Sequence, residues 1–255
     1  MVGLLQDRCG LIVGIANDRS IAWGCADVMH REGAALAVTY MNDKARPHVE
    51  PLAQRVQAGI FQPLDVTRPD QMEALFDAIE RQWGRLDFLV HSIAYAPKQD
   101  LHGRVVDTSS EGFALAIDIS CHSFLRLARR AEPLMSRGGS LITMSYYGAE
   151  KVVSNYNVMG PVKAALETAV AYMAVELGPS AIRVNAISPG PIATRAASGL
   201  PDFEGLLTAA EGKAPLRTLV DVHDVGEMAA FLASSRARAI TGSVHYVDCG
   251  YEIVD

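Results

Sequence analysis

The sequence predicts an α/β protein built on a single doubly wound parallel sheet of about seven strands, flanked by helices. Two observations carry this prediction. Short apolar runs alternate along the whole chain with segments whose apolar residues recur at helical spacing. The runs are apolar on successive residues, as strands buried on both faces should be. No internal repeat, linker or low-complexity tract interrupts the pattern, so residues 1–255 read as one domain.

Composition narrows the function. The chain has 255 residues, 49% of them apolar and 20% charged, which is ordinary for a globular protein. A net charge of -6 argues against a nucleic-acid partner, since phosphate binding needs clustered Lys and Arg. The seven histidines lack ligand spacing such as HExxH, so no metal site is expected. Cys9, Cys25, Cys121 and Cys249 form no CxxC pair and read as reduced thiols of a cytoplasmic protein. The apolar run LIVGI follows Asp7 and Arg8 and reads as a first strand rather than a signal peptide. No run approaches the ~20 residues of a membrane span.

The elements follow in order. Residues 9–15 form the first strand, leading through Gly14, Ile15 and Ser20 into a helix with Ile21, Ala22, Cys25, Val28 and Met29 on one side. Strand, glycine turn and helix make the setting in which backbone N–H groups cradle a pyrophosphate, although the spacing is not GxGxxG and a plain turn is the competing reading. Gly24 falls inside the helix, where it would permit close packing. The second strand, 34–40, ends in Tyr40-Met41-Asn42-Asp43-Lys44. A Rossmann-type fold often binds the adenosine ribose with an acidic residue there; Asp43 lies late, and no arginine is adjacent to take a 2′-phosphate. The balance favours NADH, with NADPH left open by Lys44.

A third strand, 58–64, ends at Asp65-Val66, where Asp65 reads equally as a helix N-cap. Met72, Leu75, Phe76, Ile79 and Trp83 then recur at helical spacing, and 85–90 is the fourth strand, closed by His91-Ser92-Ile93-Ala94-Tyr95. Residues 97–110 read as a long loop of the kind that carries function. A helix over 113–127 is apolar around most of its girth, which suits a core or an interface. The fifth strand, 139–144, precedes Ser145-Tyr146-Tyr147-Gly148, and the sixth, 182–187, precedes a Pro- and Gly-rich turn to Thr194. Residues 195–215, with Leu200, Phe203, Leu206 and Leu207, read as a lid over an apolar substrate or as a surface helix. A helix over 222–232 and a last strand over 242–247 complete the sheet.

The chemistry centres on Tyr156 and Lys163, seven residues apart in a segment read as helical to about Leu177. That spacing would put both side chains on one helix face. A cation near a phenol eases the sharing of its proton, so the pair could donate to an oxygen that gains charge during reaction. Tyr147 and Lys151 offer a rival Tyr-x3-Lys pair, but Gly148 opposes the helix this motif needs.

Together these motifs resemble those of the bacterial enoyl-acyl-carrier-protein reductases of fatty-acid synthesis, a divergent branch of the short-chain dehydrogenase/reductases. The resemblance rests on 14–24, Asp65-Val66, His91 to Ala94, Ser145-Tyr146, Asn155 to Gly160, Lys163 and 185–194, and covers essentially the whole chain. Its specific part is Tyr-x6-Lys joined to a serine-bearing first turn. It implies reduction of a trans-2-enoyl thioester on acyl carrier protein, with NADH, by a homotetramer. It further implies that Gly14, Ile15, Ser20 and Ile21 hold the pyrophosphate and ribose, and that Asp65 and Val66 contact adenine. Ser92, Ile93 and Ala94 would lie along the ribose, Lys163 would bind the nicotinamide ribose, and Ile192 and Thr194 would fix the carboxamide side. Tyr156 would donate to the thioester carbonyl, while Tyr95, Tyr146, Met159, Ala196 and Phe203 would line the acyl pocket.

Three residues depart from the family pattern. Pro161 would be harmless in a first helix turn but would kink an interior one, Ala193 stands where many relatives are basic, and Tyr147 adds a phenol beside Tyr146. They imply an altered chain-length preference or inhibitor sensitivity. Arg195 and Lys213 are the candidate contacts for the acidic carrier protein. The competing functions are a carbonyl or hydroxysteroid-type reductase and a dinucleotide-binding regulator without turnover.

Overall fold

A computed structural model describes residues 3–192, 194 and 203–254. Among them, seven strands form one parallel sheet: β1 (Cys9–Val13), β2 (Ala35–Tyr40), β3 (Ile60–Pro63), β4 (Phe88–His91), β5 (Gly139–Met144), β6 (Ile182–Pro189) and β7 (Val244–Val247). Their order is β3-β2-β1-β4-β5-β6-β7, and every neighbouring pair runs parallel. The strands are legible because their apolar runs are buried on both faces; all five residues of β1 are inaccessible.

Helices cover the two faces separately. Helices α1 (Ile21–Arg31) and α2 (Arg46–Arg55) share one core with α9 (Val222–Ala233), built on Trp23, Met29, Leu52 and Val225. On the opposite face α3 (Pro69–Trp83), α6 (Ser123–Ala131) and α7 (Met159–Leu177) close a second core around Leu75, Phe124 and Leu166. A side chain added at Gly24 would lie 2.0 Å from the Val222 carbonyl oxygen, and one at Gly226 2.5 Å from that of Gly24. The two glycines thus let α1 and α9 cross backbone to backbone.

Several sequence expectations change. The predicted helix over 113–127 is two helices, α5 (Ser110–Ile117) and α6, joined by one π-helical turn at Asp118–His122. The loop 97–110 contains the short helix α4 (Lys98–Leu101) and one 3₁₀ turn, Val105–Asp107. Helix α2 was not predicted, since Pro47 and Pro51 both fall within it. Pro51 lies in the second turn, where it has no N–H to give the Pro47 carbonyl, so the helix loses one bond there. The lid segment contains α8 (Phe203–Lys213). Ala193, Arg195, Ala196 and Leu200, with the side chains of Phe203 and Leu206, lie outside the described residues.

Candidate active site

The sheet's strand order reverses between β1 and β4, the topological switch point at which such sheets bind ligands beyond their carboxyl ends. Gly14 follows β1 there with φ +111°, and a side chain on it would sit 2.0 Å from the Ser92 carbonyl oxygen. Only glycine permits this meeting of the two strand ends. Ser92 is fixed in turn by its N–H bond to the Val13 carbonyl, 3.0 Å. The buried Ser20 hydroxyl accepts from the N–H groups of Ala16 at 3.0 Å and Asn17 at 3.1 Å, folding the turn onto the start of α1. The Ile15 side chain is buried in the core, so its backbone alone is available to a ligand. A tight glycine turn feeding a helix N-terminus fits a pyrophosphate.

Asp65 and Val66 lie at the same carboxyl edge, after β3. Asp65 is not an N-cap: its carboxylate accepts from the Thr67 N–H at 2.9 Å and hydroxyl at 2.7 Å, while Arg68 holds the cap position of α3. Val66 is buried, and its carbonyl accepts from Arg126 at 3.0 Å. After β4, Ile93 packs on the core of the α7 face, Ala94 is exposed, and the Tyr95 backbone is bracketed by the Ser120 hydroxyl at 2.8 and 3.0 Å. Ile192 packs on the opposite core, and the Thr194 N–H donates to its carbonyl at 2.7 Å.

Tyr156 is not in a helix, contrary to the sequence expectation. It sits in a turn between two left-handed residues, Asn155 (φ 64°) and Asn157 (φ 45°), and α7 begins only at Met159. Asparagine tolerates this conformation because its short amide bonds locally. The Tyr-x6-Lys spacing therefore spans a turn and a helix start rather than two helical turns. The same correction disposes of Pro161, which occupies the first turn of α7, where the N–H has no intrahelical partner. The Tyr156 ring lies on Gly148, where a side chain would approach it to 2.5 Å, and meets the Tyr146 ring edge-on at 4.8 Å. Met159 packs beside it with Val158 and Val162.

Electrostatics revise the expected tyrosine–lysine coupling. Burial pushes the Tyr156 phenol up, with Tyr146 and Glu167 adding to the rise; burial likewise raises Tyr146. Both phenols keep their protons and can donate hydrogen bonds. Lys163 is 4% exposed, and its ammonium donates to the Met144 carbonyl at 2.6 Å. Burial brings it down to about 8. The neighbouring His91 is fully enclosed, with its ring nitrogens 2.9 Å from the Thr143 hydroxyl and 2.8 Å from that of Ser123. Burial, then Lys163, hold it to about 3, so it is neutral.

Other predicted residues lie elsewhere. The Tyr147 ring meets Tyr251 edge-on at 5.7 Å. Lys213 is taken up by that same Tyr251 ring, 4.9 Å from its centroid. The rival pair fails as expected, because Tyr147–Ala149 is a 3₁₀ turn and no α-helix carries Tyr147 and Lys151 together. Arg46 was missed: the first residue of α2, it returns to the end of β2 and lies over the Tyr40 ring at 5.8 Å, bonded to Glu50 at 3.1 Å. Only the fold could place it there, six residues beyond the strand.

A glycine turn at the switch point of a doubly wound sheet, with protonated phenols and a buried lysine along the same edge, defines a dinucleotide-dependent reductase. The chain matches the family model described as Enoyl-(Acyl carrier protein) reductase over residues 14–252. It belongs to the enoyl-acyl-carrier-protein reductase family. It is 49% identical to the NADH-dependent enoyl-acyl-carrier-protein reductase of Rickettsia felis over 99% of this chain and 97% of that one. The solved Anaplasma phagocytophilum reductase, in complex with NAD, is 46% identical with a TM-score of 0.95, covering 100% of this chain and 97% of its own. The Bacillus cereus reductase, solved with NADP+ and an indole naphthyridinone, is 44% identical with a TM-score of 0.97 and covers 99% of both chains.

Proposed function

We propose that this chain reduces the trans-2 double bond of enoyl thioesters carried on acyl carrier protein, in fatty-acid elongation, with NADH as reductant. The observation that carries the reading is the Tyr146–Tyr156 pair at the carboxyl edge of β5, both phenols protonated, with Lys163 enclosed and bonded to the Met144 carbonyl at the end of the same strand. When bound, NADH supplies hydride to the substrate β-carbon. Tyr156 donates to the thioester carbonyl oxygen and stabilises the negative charge that develops there, and a proton taken up at the α-carbon completes the reduction. Lys163 binds the nicotinamide ribose, and Gly14, Ile15, Ser20 and Ile21 hold the pyrophosphate end. Asp65 and Val66 flank adenine, Ser92 to Ala94 the ribose, and Ile192 and Thr194 the carboxamide. Tyr95, Tyr146 and Met159 line the acyl site, closed by a lid that includes α8.

The reading extends to a cytoplasmic homotetramer. Exposed apolar residues support an interface between copies: Tyr172 (69%) and Val175 (79%) on α7, with Phe113 (42%) and Leu115 (38%) on α5. A monomeric mass in solution would contradict it. No described helix is long and apolar enough to cross a membrane.

Turnover is tested by loss of nicotinamide absorbance with a crotonyl or 2-octenoyl thioester, with NADH and NADPH run in parallel. NADH bound without turnover would overturn the reading. A pH series adds a signed prediction. Lys163 is an ammonium below about 8 and neutral above it, so NADH affinity should fall as pH rises through that value. Affinity that is flat across this range would remove Lys163 from the ribose site.

A further inference from the structure

Two adjacent residues tie the end of β5 to α7. The Met144 carbonyl accepts from Lys163 at 2.6 Å, and the next residue, Ser145, donates its hydroxyl to the Glu167 carboxylate. Lys163 and Glu167 are four apart on α7, so both project toward β5 from one face. Ser145 is 5% exposed, and its N–H donates to the Ile187 carbonyl of β6 at 2.7 Å. The residue after it is Tyr146, whose ring meets Tyr156. The Ser145–Glu167 bond thus lies between the strand end that carries one phenol and the helix that carries the lysine. None of the sequence motifs includes Glu167.

We propose that Glu167, bonded to Ser145, is a positioning residue for the reduction: the bond fixes the strand end from which Tyr146 projects, and the carboxylate sets the field at Lys163. The proposal rests on the roles given to Tyr156 and Lys163 above. A bond from a serine to an ionised carboxylate is charge-assisted and stronger than one between neutral partners. The charged and titratable groups around the pair come from several elements. Glu167 faces Ser145, Lys163, Glu150 after β5 and Tyr246 of β7, and it acts on Tyr156. Lys163 faces His91 of β4, Cys121 of the π-helical turn and Glu167. His91 is neutral at working pH, and burial pushes the Cys121 thiol up. Burial raises the Glu167 carboxyl, and after Cys121 it is the group that supports the charge on the lysine. Its removal should let the ammonium be lost at lower pH.

Two variants separate charge from bond. Glu167→Gln keeps an oxygen to accept from Ser145 but removes the charge. It should lower the alkaline midpoint of NADH affinity by about one pH unit. Ser145→Ala keeps the charge but loses the bond. It should leave that midpoint in place and lower kcat about tenfold at unchanged KM, as a small misplacement of a positioned group does. Ser145→Thr should restore kcat. A Glu167→Gln midpoint equal to wild type, an unimpaired Ser145→Ala, or no rescue by threonine would each overturn the proposal. NADH binding is read without turnover. A shifted Glu167→Gln midpoint in a protein inactive on enoyl thioesters would therefore sustain the pair while removing the reaction.

Discussion

Tyr156→Phe should lower kcat for an enoyl thioester by about two orders of magnitude, the usual cost of one oxyanion donor, while NADH affinity stays unchanged. The substitution deletes a single oxygen. The ring keeps its seat on Gly148 and its edge-on contact with Tyr146, an aromatic pair worth about 0.5–1.5 kcal/mol beyond its buried area. Any loss of rate would therefore report the missing donor rather than a displaced loop. Burial favours the protonated phenol, which is the form that can donate. Steady-state kinetics beside a fluorescence titration of NADH check both halves. A variant with wild-type kcat would show that another group, Tyr146 first, faces the carbonyl.

Gly14→Ala should abolish NADH binding and lower the melting temperature. The native φ of +111° strains any residue with a side chain by about 1–3 kcal/mol. The added carbon would also fall 2.0 Å from a backbone oxygen of Ser92, a neighbour that cannot rotate away. Relief would require the ends of β1 and β4 to part at the place where the crevice opens. Calorimetry with NADH and a thermal melt give the two readings. Tight binding at an unchanged melting temperature would mean that the crevice does not depend on this turn.

The strands and most helices were legible because burial on two faces leaves a continuous apolar record. Glycine at 14 and 24 could be read as turn and close approach, and the structure supplies both meanings. Tyr156 was legible as chemistry but not as geometry. The segment around Tyr156 reads as part of a helix, yet two asparagines in left-handed conformation hold residues 155–158 outside α7. The cue was the repeated asparagine around Tyr156. Ser145 and Glu167 pair across 22 residues and two elements, a relation that no local pattern encodes. Arg46 shows the same limit, and α2 was hidden by its prolines.

The π-helical turn Asp118–His122 makes the spacing of this segment intolerant of shortening. Ser120 before its end, Ser123 just after it and Arg126 one turn on address three separate places: the Tyr95 backbone, the His91 ring and the Val66 carbonyl. Deleting one residue there would restore a regular helix and turn everything downstream by ~100° about the helix axis. Ser123 would leave His91 and Arg126 would leave Val66 together. Substitutions in this turn can fail one at a time, whereas a single-residue deletion would break the His91 and Val66 contacts at once. Natural length variation among relatives should therefore avoid these five positions and collect in the surface turns instead.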